Sequence, residues 1–360
     1  MSTTILHSQE TIQEEQQLFP FVSIVMPVRN EVQYIKKAIK AVLDQDYPAD
    51  AFEVLVADGM SIDGTREVVQ SFFKDAPQVV LIDNPGKIVP TGLNKAIEQA
   101  RGEIIIRVDG HCVIARDYVR KSVAYLKHDP QLSGVGGPME TIGETPVSAA
   151  IAAAMSSSFG VGGSAFRTKK DQKLFVETVA FPAYKASTLH QAGPFDEELV
   201  RNQDDEYNYR IREMGGKILL APDIHSRYYS RGSLRSLWRQ YFQYGFWKVR
   251  VMQKHPRQVK LRQYVPPLFV LGTAGSALFT LVFPGIGKYL LGVVLGGYAA
   301  ANLTASLLTA ARSGLSNWFV LPAAFATLHY SYGLGFLVGL VKFARCWNIE
   351  KNQWGSRKLA

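Results

Sequence analysis

Three long apolar runs, residues 265–283, 286–311 and 318–341, follow one another near the C-terminal end of this 360-residue chain. Each approaches or exceeds the ~20 residues with which an α-helix crosses a bilayer. From Gln263 onward the only acidic residue is Glu350, and the runs are rich in Gly and Ala, which suits close helix packing in lipid. One such run could be a buried helix of a soluble protein; three in succession argue for membrane. Up to about Tyr264 the chain has the mixed polar and apolar composition of a soluble α/β body, so it must fold as two unlike parts.

Charge follows the same division. The net charge of +9 is concentrated between Arg227 and Arg262, a stretch that holds Arg227, Arg231, Arg235, Arg239, Lys248, Arg250, Lys254, Arg257, Lys260 and Arg262 and no acidic residue. Basic residues directly before a membrane run are those expected on the cytoplasmic side, and they attract anionic lipid headgroups. The adjoining apolar runs favour this reading over nucleic-acid binding. Residues 1–20 are polar, with no signal-peptide pattern, so the first domain is expected to stay in the cytoplasm. The expected organisation is a polar tail (1–20), a catalytic-type α/β domain (21–226), basic amphipathic or interfacial helices (227–262), membrane helices (263–345) and a basic tail (346–360). Cys112 and Cys346 lie far apart in unlike surroundings, which argues against a disulfide or a cysteine metal site.

Within the soluble part, strand and helix patterns alternate. Strand-type runs at 21–27, 52–57, 79–82 and 103–108 are separated by helical patterns at 32–43, after Ser61 and at 91–101, with Gly102 closing the last. Short turns between alternating elements predict a doubly wound, mostly parallel sheet. Three strands end in polar residues, at Asn30-Glu31, Asp58 and Asp109, and ligands of open α/β sheets bind at such ends. Glu103-Ile-Ile-Ile-Arg107-Val-Asp109-Gly110-His111 is the most chemical of them. Carboxylate and imidazole two residues apart suit Mg²⁺ or Mn²⁺ held together with a diphosphate. Asp58 and Asp63 are candidates for a base and ribose, or simple turn formers. No Gly-x-Gly-x-x-Gly follows the first strand and no Walker A loop is present, which argues against dinucleotide and P-loop folds.

The later half is less regular. Residues 148–158 are Ala- and Ser-rich and helical in pattern, and 159–164 form a Gly-rich loop over the site or a plain linker. Asn202-Gln203-Asp204-Asp205-Glu206 precedes a helix with an apolar stripe of Tyr207, Ile211 and Met214. A helix from Tyr228 to Lys248 would place several of Arg227, Arg231, Arg235 and Arg239 on one face, as a phosphate clamp or a headgroup-facing surface.

Ser23-Ile-Val-Met-Pro27-Val-Arg29-Asn-Glu31, Val56-Ala-Asp58-Gly-Met-Ser-Ile-Asp63-Gly-Thr65, Asn84-Pro-Gly-Lys87, Arg107-Val-Asp109-Gly-His111 and Gln203-Asp-Asp-Glu-Tyr-Asn-Tyr-Arg210 together resemble a family 2 glycosyltransferase of GT-A fold. The order and spacing match over about 21–248. The Asp-Gly-His form, the Asn-Gln-Asp-Asp-Glu segment and the three apolar runs look most like the membrane-anchored, ExoA-like branch, whose members are similar to the succinoglycan glucosyltransferase. The resemblance implies roles by position. Pro27, Arg29, Glu31, Asp58, Asp63, Lys87, Asp109 and Gly110 would bind the nucleotide sugar, with Asp58 at uracil. Asp109 and His111 stand at the metal motif, His111 replacing a second Asp, and His225 lies near a position that approaches the metal or diphosphate. Asp204 would be the catalytic base, beside Asp205. Arg227 and Arg231 would neutralise the diphosphate, and Gln240 to Trp247 loosely matches a Gln-x-x-Arg-Trp signature.

The implied reaction is transfer of a hexose, glucose or a related sugar, from a UDP-sugar to a hydroxyl of a lipid-linked (polyprenyl diphosphate) saccharide. It would invert the anomeric centre and use a divalent cation, Mn or Mg, at the inner cell membrane with the catalytic domain facing the cytoplasm. A polyprenyl-phosphate glycosyltransferase and a non-catalytic nucleotide-sugar-binding partner are the alternatives. Three full crossings would put the C-terminus outside, whereas Lys342, Arg345, Lys351, Arg357 and Lys358 argue for inside. Run 265–283, with Pro266 and Pro267 at its start, is then the one expected to be re-entrant or interfacial.

Overall fold

The structure, a computed structural model, describes residues 19–314 and 318–348. Most of the expected polar tail and the basic tail beyond Asn348 lie outside the described residues. The first elements are β1 (Val22–Val28), α1 (Ile35–Leu43), β2 (Phe52–Asp58), α2 (Thr65–Gln70), β3 (Val79–Asp83), α3 (Val89–Gln99), β4 (Ile104–Arg107), β5 (Cys112–Ile114), α4 (Tyr118–His128), β6 (Leu132–Gly137) and β7 (Met139–Ile142). Three helices follow, α5 (Pro146–Met155), α6 (Ser158–Val161) and α7 (Ala165–Thr168), then β8 (Leu174–Phe175), β9 (Ala180–Lys185), α8 (Ala186–Ala192), α9 (Gln203–Glu213), β10 (Lys217–Leu220) and β11 (Ser226–Tyr229). The chain ends in four long helices, α10 (Leu234–Lys254), α11 (Val265–Val282), α12 (Pro284–Ser313) and α13 (Leu321–Lys342).

The chain divides into two compact units. One comprises Met1–Glu140 and Lys169–Tyr228, the other Thr141–Thr168 and Tyr229–Ala360. In the first, an eight-stranded sheet runs in the order β3-β2-β1-β4-β9-β6-β10-β8. Strands β3, β2, β1 and β4 are parallel neighbours. β1 (VSIVMPV) and β2 (FEVLVAD) are buried at every position, the near-continuous burial of a parallel sheet covered on both faces. Two strands depart from the parallel expectation: β9 runs antiparallel to both β4 and β6, and the two-residue β8 antiparallel to β10. Leu93 and Ala96 of α3, Leu189 of α8, and Tyr207 and Ile211 of α9 join Val25, Leu55, Ala57, Ile82 and Ile105 in one core cluster. Met214, expected on the same stripe, is exposed. Gly102 does not cap α3, whose C-cap is Ala100. A Cβ there would lie 2.4 Å from the Ser23 backbone nitrogen, so Gly102 permits close chain passage at the start of β1.

In the second unit, α10 and α13 pack through glycines. A Cβ at Gly245 or Gly335 would lie 2.0 Å from the carbonyl oxygen of Tyr332 or Phe242 respectively. Val249, Met252 and Phe336 form the core between them. Gly333, likewise, sits against the Pro266 carbonyl of α11. Thus α10 is more than a surface helix, and Lys248 and Arg250 are themselves buried. Three helices, Val265–Val282, Pro284–Ser313 and Trp318–Lys342, are long and apolar enough to cross a membrane. Leu268, Leu271, Leu278 and Leu281 of α11 face outward, as lipid contact requires.

Residues Thr141–Thr168, expected within the 21–226 block, cluster with the second unit instead. His329 Nε2 lies 2.8 Å from the Phe159 carbonyl oxygen, and the Phe159 ring packs 5.1 Å from that of Phe325. Gly-rich 159–164 is therefore partly helical and docked on α13.

Candidate active site

The strand order turns at β1: β2 lies on one side and β4 on the other. Pairing of β1 with β4 stops at Val25↔Arg107, while pairing with β2 continues to Val28↔Asp58. Pro27, which has no N–H to offer a ladder, lies past the last β1–β4 pair. The two strands part there, and their C-terminal ends deliver Glu31 on one side and Asp109-Gly110-His111 on the other, at the switch point where α/β sheets bind ligands. Gly110 allows the approach: a Cβ would stand 2.9 Å from Val28 Cγ1 and 3.1 Å from Glu31 Cγ.

His111 Nδ1 is 2.9 Å from Glu31 Oε1, and its ring packs edge-on against Tyr228 at 4.8 Å. A carboxylate on one imidazole nitrogen is the arrangement that orients a histidine to ligate through the other. Asp109 accepts a 2.9 Å bond from Arg107 Nε through Oδ1. Among the described residues no three His, Cys, Asp or Glu side chains are grouped to hold a metal. Asp109, His111 and His225 therefore do not form a ready-made cage as a set. His225 is exposed, and its carbonyl accepts from the Ala115 N–H at 3.0 Å. Asp109 with the oriented His111 fits a cation that takes its remaining oxygens from a substrate diphosphate, the usual manner of Mg²⁺ at phosphate sites.

The second carboxylate comes from α9. Asn202, at φ 63°, turns the chain into the helix, and Asp204, Asp205 and Glu206 fill its first turn, where the dipole favours acids. Glu206 is buried and ion-paired with Arg210, whose Nη1 also donates to the Ala192 carbonyl at 2.6 Å. The Tyr207 ring stacks 3.8 Å from that of Phe195. These contacts fix the helix start, and Asp204 Oδ1 meets Arg107 Nη1. Burial pushes the Asp204 carboxyl above the ordinary carboxylate range, Asp109 and Asp205 push the same way, and Arg107 opposes them. Arg107 itself is held more firmly protonated, because the two carboxylates outweigh the burial that disfavours its charge.

The residues expected on the nucleotide side are knitted together by hydrogen bonds. Asp58 is fully buried and accepts from Ser61 N at 2.9 Å, Ser61 Oγ at 2.5 Å and Arg66 Nη1 at 2.8 Å. Arg66 also holds Asp83 at 2.7 Å. Asp63 Oδ1 accepts from Thr65 N and Oγ1 at 3.1 and 2.6 Å, and Oδ2 from Val32 N at 3.2 Å. Desolvation works against the Asp63 anion, but these bonds outweigh it and lower the carboxyl below its usual range. Asn30 N donates to Ser61 Oγ and Glu31 N to Thr65 Oγ1, each at 2.8 Å. Arg29 Nη1 donates to the Lys87 carbonyl at 3.2 Å, and Lys87 adopts φ 61°. Asp58, at the end of β2, and Asp63, in the loop that follows, thus organise the loops.

The expected arginine face is only half formed: Arg235 and Arg239 lie one turn apart and exposed on α10, but Arg227 and Arg231 are not on the helix. Residues 226–229 pair as strand β11 with β5, and the helix begins only at Leu234, behind the Ser233–Ser236 capping box. Arg227 is an exposed strand residue paired with Glu140 at 3.0 Å, and Arg231 lies in the connection that follows. Gln240 is buried on α10 with Nε2 2.9 Å from Tyr244 Oη, and Trp247 packs on Phe246 and Phe343. The missed residue is Arg107. A lone Arg ending an isoleucine strand signals a buried cation that needs carboxylate partners.

Comparison with known proteins bears on family and fold. A family model described as Glycosyl transferase family 2 matches residues 23–186. The succinoglycan biosynthesis protein ExoA of Rhizobium meliloti is 31% identical over 327 residues, covering 89% of this chain and 96% of that protein. A dolichyl N-acetyl-α-D-glucosaminyl phosphate 3-β-D-2,3-diacetamido-2,3-dideoxy-β-D-glucuronosyltransferase of Methanococcus voltae is 28% identical over 331 residues, covering 89% and 98%. In structure, the mannosyltransferase PcManGT of Pyrobaculum calidifontis, solved with GDP-Man and Mn²⁺, has a TM-score of 0.56 at 21% identity over 88% of this chain and 87% of that one. That last likeness is one of fold.

Proposed function

The chain belongs to glycosyltransferase family 2 with a GT-A-like α/β fold, and from that premise we propose that it moves a hexose from a UDP-sugar to a hydroxyl of a lipid-linked saccharide, inverting the anomeric centre. The observation that carries this reading is the pairing of Asp109 and Asp204 on one arginine at the switch-point crevice. In this reading Asp109 faces the donor diphosphate and Asp204 serves as the base. Asp204 takes the proton of the acceptor hydroxyl, the acceptor oxygen bonds to the anomeric carbon, and the bond from that carbon to the diphosphate oxygen breaks, releasing nucleoside diphosphate. The raised carboxyl of Asp204 suits this work, since a base closer to neutral pH accepts a proton more readily. A divalent cation, Mn or Mg, at Asp109 and His111 would supply charge neutralisation for the leaving diphosphate. Glu31 holds the His111 ring, and Arg29, Pro27, Lys87 and Gly110 frame the nucleotide side of the crevice.

The lipid-linked acceptor is supported by the three spanning-length helices and by the relative in Methanococcus voltae, whose name specifies a dolichyl-linked substrate. A membrane-held acceptor beside a membrane-held enzyme gains effective concentration. The basic stretch before α11 supports a multi-pass protein of the cell membrane with its catalytic unit on the cytoplasmic face. The test is a donor screen on the purified chain in detergent, following nucleoside diphosphate release with Mn²⁺ and lipid-linked saccharides. Release that needs a saccharide hydroxyl supports the reading. Release with a polyprenyl phosphate alone moves the assignment to a lipid-phosphate acceptor.

A further inference from the structure

We propose that Arg107 is a shared positioning residue that holds Asp204 aligned for the acceptor and competes with the cation for Asp109; the inference rests on the transferase reading above. Arg107 closes β4, a strand whose other members are Ile104, Ile105 and Ile106, and only 10% of its side chain is exposed. Its Nε meets Asp109 and its Nη1 meets Asp204, residues 97 positions apart in sequence. A planar guanidinium with donors in a fixed fork sets the two carboxylates at a defined separation, which a flexible ammonium cannot do. It also offsets the repulsion between two acids brought to one crevice.

The two bonds have different consequences. The bond to Asp204 lies on the acceptor side and fixes the direction in which that carboxylate presents its second oxygen. The bond to Asp109 occupies the oxygen and charge that a divalent ion would otherwise claim. A cation held by Asp109 and His111 would draw Asp109 from the guanidinium and leave Arg107 to Asp204 alone. The base is therefore held in place most firmly when donor is bound.

This division predicts effects of opposite sign in one variant, which loss of folding does not produce. Mn²⁺ affinity of the full-length protein in detergent with saturating UDP is read by electron paramagnetic resonance, and transfer is read as nucleoside diphosphate release. Arg107→Met is expected to bind Mn²⁺ about 3-fold more tightly, since a competing cation has gone. Its kcat is expected to fall by roughly 100-fold, the scale of a misplaced general base. Arg107→Lys keeps the charge without the fork, so its kcat falls while its Mn²⁺ affinity stays near that of the parent. Weaker Mn²⁺ binding together with lost transfer in the Met variant, or parental transfer in either variant, overturns the proposal. If the Met variant does not fold, judged by UDP binding, the kcat of the Lys variant decides. Asp204→Asn separates the two levels. Parental transfer in that variant removes the transferase assignment of Asp204, whereas an inactive Asp204→Asn beside parental Arg107 variants sinks only the role of Arg107.

Discussion

Asp204, Asp109 and Asp63 are three acids that their surroundings set apart. Asp204 is raised by burial and by neighbouring acids. Its replacement by Asn keeps size and removes basicity, so transfer should fall by about 10²- to 10⁴-fold with UDP binding retained. Asp109→Ala should weaken Mn²⁺-dependent donor binding, measured by titrating nucleotide with and without the ion; equal binding in both would remove Asp109 from the metal site. Asp63, lowered by bonds from Thr65 and Val32, favours the folded chain where it is ionised in the native state but protonated in the unfolded one, and at all higher pH. That contribution is complete above the ordinary carboxylate range and is lost as pH falls through its lowered native value. In denaturant melts Asp63→Asn should reduce stability at neutral pH and flatten the acid limb; an unchanged limb would contradict this. Much of the site is legible in sequence because strand-end acids before Gly are local signals. The Arg107–Asp204 contact is not, since nothing local joins positions that far apart.

Helices and strands follow the sequence where periodicity is strong and depart where a short-range signal is weak. The parallel strands β1 to β4 read directly from their apolar runs, whereas β9 offers no local sign that it runs antiparallel between β4 and β6. The start of α10 is set by Ser233 and Ser236 capping each other, a pair without the Glu or Gln that marks a capping box in sequence. Extending that helix back to Tyr228 therefore overstates it, and with it the arginine face. Glycines of α10 and α13 have a clear packing duty. Gly335→Leu puts a side chain where the Phe242 carbonyl already stands, and should destabilise the helical unit by roughly 1–3 kcal/mol. Thermal unfolding in detergent measures it, and an unshifted midpoint would show that α10 and α13 do not pack at this point.

The whole chain combines an α/β unit with helices of spanning length, a division plain in composition from the first apolar run onward. What composition does not reveal is that Thr141–Thr168, between strands of the catalytic body in sequence, packs with the helical unit through Phe159 and His329. Its Ala-rich helix carries no charge pattern to announce a membrane-side partner. The full-length protein should stay with the membrane fraction after alkaline carbonate washing, and its release into the supernatant would contradict spanning helices. The central claim, sugar transfer by a crevice built on Asp109 and Asp204, meets its most direct test in one assay. Purified protein is given a UDP-hexose, Mn²⁺ and a lipid-linked saccharide, and the extended lipid product is measured for the parent and for Asp204→Asn. The account predicts product with the parent and almost none with the variant, both binding UDP alike; equal product from the two would contradict it.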